Sequence, residues 1–308
     1  MLYIRIPSIM KRILIIILAL LIVSPLAFAE KRAFLVGISK YKMDWPTIHG
    51  SEDVELLKPI LKEKQGFRVT TLTNKQATHD SIINGLKAFI KTIKKGDIVY
   101  IHFSTHGQPV EDYNHDEKNN GGDKWDEAIV PYDAGSHYSE AYKGDKHIID
   151  DVINKYVSEI RAILGPKGAL YVVIDACHAG GSSRVGGTIR GIDNRGSNEG
   201  LSRSNKKFEF KNAEHESNYQ LPNSSGLAPA VFFEACKANE RNKEIFVKGK
   251  EYGSLSYMVY LTLIGKNGTI GTKPDAFERA VRYTIYHSSY KSYWPKRQTL
   301  VTESSYRN

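Results

Sequence analysis

Short apolar runs alternate along this chain with longer stretches in which apolar residues recur every three or four positions. Residues 33–38 (AFLVGI) form the first run, and residues 51–61 then place Val54, Leu57, Ile60 and Leu61 at helical spacing. Pro59 falls inside that helix and is expected to kink or shorten it. Residues 67–72 (FRVTTL) alternate as a strand. Thr78 can cap the next helix, which carries Ile82, Leu86, Phe89 and Ile93, and Gly96 closes it. The unit then repeats, with a continuous apolar strand at 98–103 (IVYIHF), a helix at 152–164 with Val152, Tyr156, Ile160 and Ile163 on one face, and a buried strand at 170–174 (LYVVI). Residues 228–233 add another strand and residues 255–264 another helix. Strands apolar on both faces need cover on both, so the pattern predicts an α/β fold with a mostly parallel sheet between two helix layers. Reactive groups in such sheets collect at the carboxyl ends of the strands.

Residues 180–226 break the pattern. They are rich in Gly, Ser, Asn and Arg, lack apolar periodicity, and carry Arg184, Arg190, Arg195, Arg203, Lys206, Lys207 and Lys211. A loop this long is expected to be mobile and either functional or disordered. The chain has 308 residues, 41% hydrophobic and 25% charged, which excludes disorder, collagen-like repeats and multi-pass membrane architecture. One domain is expected over residues 30–308, with the basic loop at about 181–226 inserted into it.

Residues 1–29 read as an export signal. Arg5, Lys11 and Arg12 precede an apolar run at 13–23, followed by Pro25 and the small-residue sequence Ala27-Phe28-Ala29. Retention as a membrane anchor is the other reading, but eleven apolar residues fall short of the ~20 that a spanning helix needs. Cleavage after Ala29 predicts a periplasmic or extracellular protein with no stable membrane span. The remainder would carry 40 basic and 34 acidic side chains, a balance of +6. The excess is scattered apart from the loop, as on a solvated basic surface, so nucleic-acid binding is not expected. Two cysteines, Cys177 and Cys236, supply neither a disulfide scaffold nor a Cys-rich zinc site.

The candidate chemistry lies where two strands end. One stops at Ser104-Thr105-His106-Gly107 and another at Asp175-Ala176-Cys177-His178-Ala179-Gly180. An imidazole near a thiol produces a thiolate that attacks carbonyl carbon. Glycines beside these residues let main-chain N–H groups approach an oxyanion, with Gly107 and Cys177 as the candidate donors. Taken singly, His106 could be a satisfied core histidine and Cys177 a small buried hydrophobe. Both at neighbouring strand ends are harder to explain by packing.

FSTHG and DACHAG resemble the (Y/F)SGHG and DxCHSG boxes of caspase-like cysteine peptidases, closest to the metacaspase and bacterial orthocaspase branch, with Thr105 and Ala179 as departures. The resemblance runs from about Arg32 to about Arg297. It implies a caspase-like three-layer sandwich, with His106 as general base and Cys177 as nucleophile. His178 follows the pattern but should point away from Cys177. The resemblance also implies an acidic pocket of Asp53, Ser104 and Asp175 that selects Arg or Lys before the scissile bond; two carboxylates and a hydroxyl can satisfy a guanidinium fork. As a helix-start acid favoured by the dipole, Asp53 has a structural explanation as well.

By the same resemblance, Asp126 of WDEAIVPYD and Asp150 and Asp151 of IIDD would ligate Ca²⁺, and carboxylate oxygens suit that ion. Arg184 replaces a further family aspartate, and Asp150 and Asp151 also fit as N-terminal helix acids. The chemistry itself needs no cofactor. The expected protein is a monomeric cysteine endopeptidase acting on polypeptides with basic P1 residues, possessing a loop it can cut itself. A catalytically silent caspase-fold binding module of the cell envelope, or a calcium-binding structural domain, are the other classes. Cys236 ends FEAC much as Cys177 ends IDAC, so a disulfide that masks the nucleophile is conceivable if register and face agree, and otherwise Cys236 is a buried strand-end hydrophobe.

Overall fold

A computed structural model of the chain describes residues 29–113, 125–140, 142–176, 188, 190, 200–203, 221–237, 240–266 and 268–306. The described elements are β1 (Lys31–Gly37), α1 (Gly50–Pro59), β2 (Phe67–Thr73), α2 (His79–Ile90), β3 (Ile98–Ser104), β4 (Gly107–Glu111), β5 (Trp125–Ile129), β6 (Ile148–Ile149), α3 (Asp150–Leu164), β7 (Ala169–Asp175), β8 (Ala230–Glu234), β9 (Glu244–Val247), β10 (Lys250–Gly253), α4 (Ser254–Ile264), α5 (Pro274–Tyr286) and β11 (Val301–Ser304).

Six strands form the central sheet in the order β11-β8-β7-β3-β1-β2, parallel except for the edge strand β11. Every residue of β3, β7 and β8 is buried, as continuous apolar strands require. Alternate residues serve opposite layers. Val99, Ile101, Leu170 and Val172 pack with Leu86 of α2 and Ile160 of α3, whereas Tyr100, Tyr171 and Val173 pack with Leu57 of α1, Met258 of α4 and Phe277 of α5. The three-layer α/β expectation is met.

Local readings hold with adjustments. The Thr78 hydroxyl accepts the Ser81 N–H and caps α2. The regular turns of α1 end at Pro59, as a shortened helix would, and the chain continues as a π turn over Ile60–Lys64, with Gln65 N–H bonded to the Ile60 carbonyl. The loop expectation needs correction where residues are described. Arg190 and Leu201 are fully buried, and Leu201 exchanges main-chain hydrogen bonds with Pro109 and Glu111 beside β4, so these points are packed. The export-signal residues 1–28 and most of the basic loop lie outside the described residues. Among the described residues, no helix is long and apolar enough to cross a membrane.

Candidate active site

Parallel register places Ser104 of β3 directly beside Asp175 of β7, at the carboxyl edge of the sheet. Gly50, the first residue of α1, fits against that edge only without a side chain, since a Cβ there would sit 2.1 Å from the Ser104 carbonyl oxygen. This close approach carries Asp53, one turn on, over the strand ends. The Ser104 hydroxyl donates to Asp53 Oδ2 at 2.7 Å, and Gly253 N–H donates to Oδ1 at 3.0 Å. Asp53 is therefore a buried acid, hydrogen-bonded at the strand ends, rather than a solvated helix-start acid. Asp175 accepts from Asn242 Nδ2 at 2.6 Å on one oxygen and from the Ser256 N–H and hydroxyl, both at 2.7 Å, on the other. Because Ser256 donates to a carboxylate, its oxygen receives the His102 Nε2–H at 3.0 Å, and His102 Nδ1 accepts from the Tyr100 hydroxyl at 3.0 Å.

The space between the acids is filled by the chain itself. Arg190 Nη2 lies 2.7 Å from Asp53 Oδ2 and 2.9 Å from Glu244 Oε1; Nη1 bonds the Ser104 hydroxyl and, at 3.1 Å, the Asp175 carbonyl. The side chains of Arg190, Asp53 and Asp175 are all wholly buried. The main chain is held as well. Arg190 N–H donates to the Asn242 carbonyl at 3.2 Å and Glu244 N–H donates to the Thr188 carbonyl at 2.9 Å, which is an antiparallel pairing. Gly107 N–H donates to the Arg190 carbonyl at 3.2 Å.

Three carboxylates around one guanidinium cannot all ionise freely. Burial pushes Asp53 up to about 7, with Arg190 opposing and Asp175 adding to the rise. Burial also works against ionised Asp175, but Arg190, Asn242 and Ser256 outweigh it and hold the group below the ordinary range. Burial lowers the affinity of Arg190 for its proton, yet the three acids more than reverse this and keep it charged.

His106 follows β3 and is fully buried, stacked on Trp45 with ring centroids 4.9 Å apart. Its Nε2 lies 2.8 Å from the Pro46 carbonyl, which can only accept, so Nε2 carries the proton and Nδ1 holds the lone pair. Nδ1 has no hydrogen-bond partner among the described residues. Burial lowers its pKa to about 4, so the ring is neutral at pH 7 and available as a base. Cys177, like His178 and Arg184, lies outside the described residues. β7 ends at Asp175, at the same sheet edge as the end of β3 before His106, and the described chain runs one residue further, to Ala176, next to Cys177 in sequence.

The carried-over calcium residues are placed as follows. Asp126 on β5 and Asp150 at the start of α3 are buried, and Asp151 is half-buried. Their donor chemistry fits calcium; among the described residues, however, the three-residue group whose ligand atoms lie within 4.8 Å of one another is His49, Glu244 and Glu251. Cys236 is buried, with Sγ 3.5 Å from the Glu240 carbonyl. Ile174 pairs with Glu234, and that register, continued, sets Cys236 opposite Ala176 rather than Cys177. Two groups escaped the sequence reading: Glu244, a lone acid in a mixed-charge stretch, and Arg190, one of seven loop cations.

A family model described as "Metacaspase, peptidase C14 domain" matches residues 31–184. Metacaspase-7 of Arabidopsis thaliana is 30% identical over 200 residues, covering 60% of this chain and 44% of that protein. Metacaspase-1 of Plasmodium falciparum is 29% identical over 164 residues, covering 50% of this chain and 24% of that protein. This chain thus spans less than half the length of these relatives. A crystal structure from Geobacter sulfurreducens superposes with TM-score 0.57 at 19% identity, covering 90% of this chain and 93% of the other. The structure of pro-sf-caspase-1 superposes with TM-score 0.51 at 12% identity, covering 90% and 88%. Both likenesses concern the fold.

Proposed function

Since the chain belongs to the metacaspase family of C14 peptidases, we propose that it is a cysteine endopeptidase that cleaves after Arg or Lys and cuts its own chain at Arg190–Gly191. The observation that carries this reading is the seating of Arg190, with its guanidinium among Asp53, Ser104 and Asp175 and its carbonyl on the Gly107 N–H. That is how a P1 residue would be held, with the carbonyl polarised by a main-chain donor.

His106 Nδ1 takes the Cys177 thiol proton, and the thiolate attacks the Arg190 carbonyl carbon. Negative charge develops on the oxygen facing Gly107. As the bond to Gly191 breaks, His106 returns the proton to the leaving amine, giving a thioester. Water then attacks, His106 accepts its proton, and the Arg190 carboxylate departs with the thiol restored. The neutral Nε2–H form of His106 suits this cycle, since its free lone pair accepts the first proton.

The finer parts of the proposal are calcium stimulation through Asp126, Asp150 and Asp151, an export signal over residues 1–29, and action as a monomer on polypeptides. The deciding experiment is the intact mass of the purified wild-type chain beside Cys177→Ala, combined with turnover of Arg-, Lys- and Asp-P1 peptides with and without Ca²⁺. Expected are fragments meeting at Arg190/Gly191 in the wild type alone and hydrolysis of basic P1 peptides. An intact wild-type chain that binds basic peptides without turnover would instead identify a silent binding module.

A further inference from the structure

We propose that Glu244 is a third carboxylate of the P1 pocket and the residue that makes it select Arg over Lys; this rests on the reading of the pocket as a basic P1 site. Glu244 begins β9, in the β9–β10 hairpin outside the central sheet, and its side chain is only 1% exposed. It meets the guanidinium at Nη2, whereas the strand-end groups Ser104 and Asp175 meet it at Nη1.

The two ends of the guanidinium are read by different walls. Nη1 is taken by the strand-end groups, the Ser104 hydroxyl and the Asp175 carbonyl, whereas Nη2 is shared between Asp53 and Glu244. A planar fork can reach both walls at once. An ammonium is a compact point charge at the end of a straight stem, and its donors cannot span them. Lysine seated at the Nη1 position, on Ser104 and the Asp175 carbonyl, would leave buried Glu244 Oε1 without the guanidinium N–H that it accepts from Arg190, an arrangement that is disfavoured. The pocket would therefore reject Lys through Glu244 as well as accept Arg through it.

His49 makes this discrimination sharp by fixing the carboxylate. Its main-chain N–H donates to Glu244 Oε1 at 2.7 Å, and its Nδ1 lies 2.7 Å from Oε2 and 3.1 Å from Glu251 Oε2. With both oxygens tied, Oε1 is held toward Arg190. The Glu244 main chain also pairs with Thr188, so one residue grips the side chain at P1 and the backbone two positions before it. His49 acts through Glu244 and is a positioning residue.

Binding tests this without depending on turnover. In a Cys177→Ala, Arg190→Ala chain the pocket is vacated and cannot react, and calorimetry compares matched peptides ending in Arg and in Lys. The Arg peptide is expected to bind at least about tenfold tighter. Adding Glu244→Gln should reduce the ratio to about threefold or less, with a melting profile confirming the fold. His49→Gln leaves the carboxylate and its main-chain donor but removes the ring that ties Oε2, so it should lower the ratio in the same direction by a smaller factor and serves if Glu244→Gln does not fold. Equal binding of both peptides by the parent chain, or an unchanged ratio in these variants, overturns the role of Glu244 and leaves a basic P1 pocket standing. Binding of neither peptide overturns the pocket reading itself.

Discussion

The carbonyl oxygen of Arg190 accepts the main-chain N–H of Gly107 at 3.2 Å, while the guanidinium of the same residue lies buried among carboxylates. If Arg190 is the P1 residue proposed above, an outside substrate has to compete with a tethered one, whose effective concentration is on the order of millimolar.

Arg190→Ala should abolish cleavage between residues 190 and 191. Loss of the cation also leaves Asp53, Asp175 and Glu244 to repel one another, so the melting temperature should fall relative to Cys177→Ala. N-terminal sequencing and calorimetry check both effects. Cleavage at the same bond at an undiminished rate would show that P1 recognition lies elsewhere.

Gly253 gives an independent steric handle on the pocket. A Cβ there would stand 2.2 Å from Asp175 Oδ2 and 2.7 Å from Arg190 Cζ, so even a methyl group competes with the guanidinium. Gly253→Ala should raise KM for Arg-P1 peptides by about a hundredfold, with a smaller change in kcat because His106 is untouched. An unchanged KM would mean that substrate does not sit where Arg190 sits.

Some of this was legible and some was not, for physical reasons. The strands β1, β3 and β7 announce themselves because burial on both faces demands unbroken apolar runs, and the chemistry sits at their ends. β4, β5 and β6 hide, since buried Gln108, Glu111, Asp126 and Glu127 interrupt the apolar signal. Helix α5 did carry a readable pattern, with Pro274 at its start and Phe277, Val281 and Ile285 on one face. Asp53 was picked out by the family resemblance, although its place at a helix start offered a plainer explanation. Glu244 had no such mark, because its meaning comes from a hairpin folding over the sheet edge. Nor could local sequence distinguish Arg190 from the other loop cations; only the tertiary pocket does.

Asp53 should impose a pH dependence on substrate affinity. Burial raises it to about 7 with Arg190 beside it, and Arg190 is the group that pulls it down. Binding a guanidinium therefore expels a proton, and protonated Asp53 offers one countercharge fewer. KM for Arg-P1 peptides should rise, by at most about tenfold per unit, as pH falls toward about 7, and level off below it, where Asp53 is protonated with the guanidinium bound as well. In Asp53→Asn, KM should be higher throughout and flat across this range. A flat wild-type profile would place the Asp53 titration outside it.

Acid stability follows from three interior imidazoles. Burial lowers His102 and His106 to about 4 and His147 to about 3, from an ordinary value of 6.5. A depressed folded-state pKa contributes stability that is present above 6.5 and lost as pH falls toward the folded value. Asp53 has the opposite sign. Raised from 3.8 to about 7, it contributes stability at low pH that is lost on approaching 7, and so offsets one histidine at pH 5. His49 is raised by Glu244 and Glu251 against its burial, and is protonated in both states at that pH. Unfolding near pH 5 should then take up about two protons, and stability should fall by roughly 2 to 3 kcal/mol per pH unit on acidification. His147 sits away from the pocket, bonded to Tyr142 and Gln108. His147→Gln should remove one of the two protons and about halve the slope. Urea titrations between about pH 5 and 6.5 measure it directly, and stability that stays level or increases on acidification would show that these rings are not held neutral in the fold.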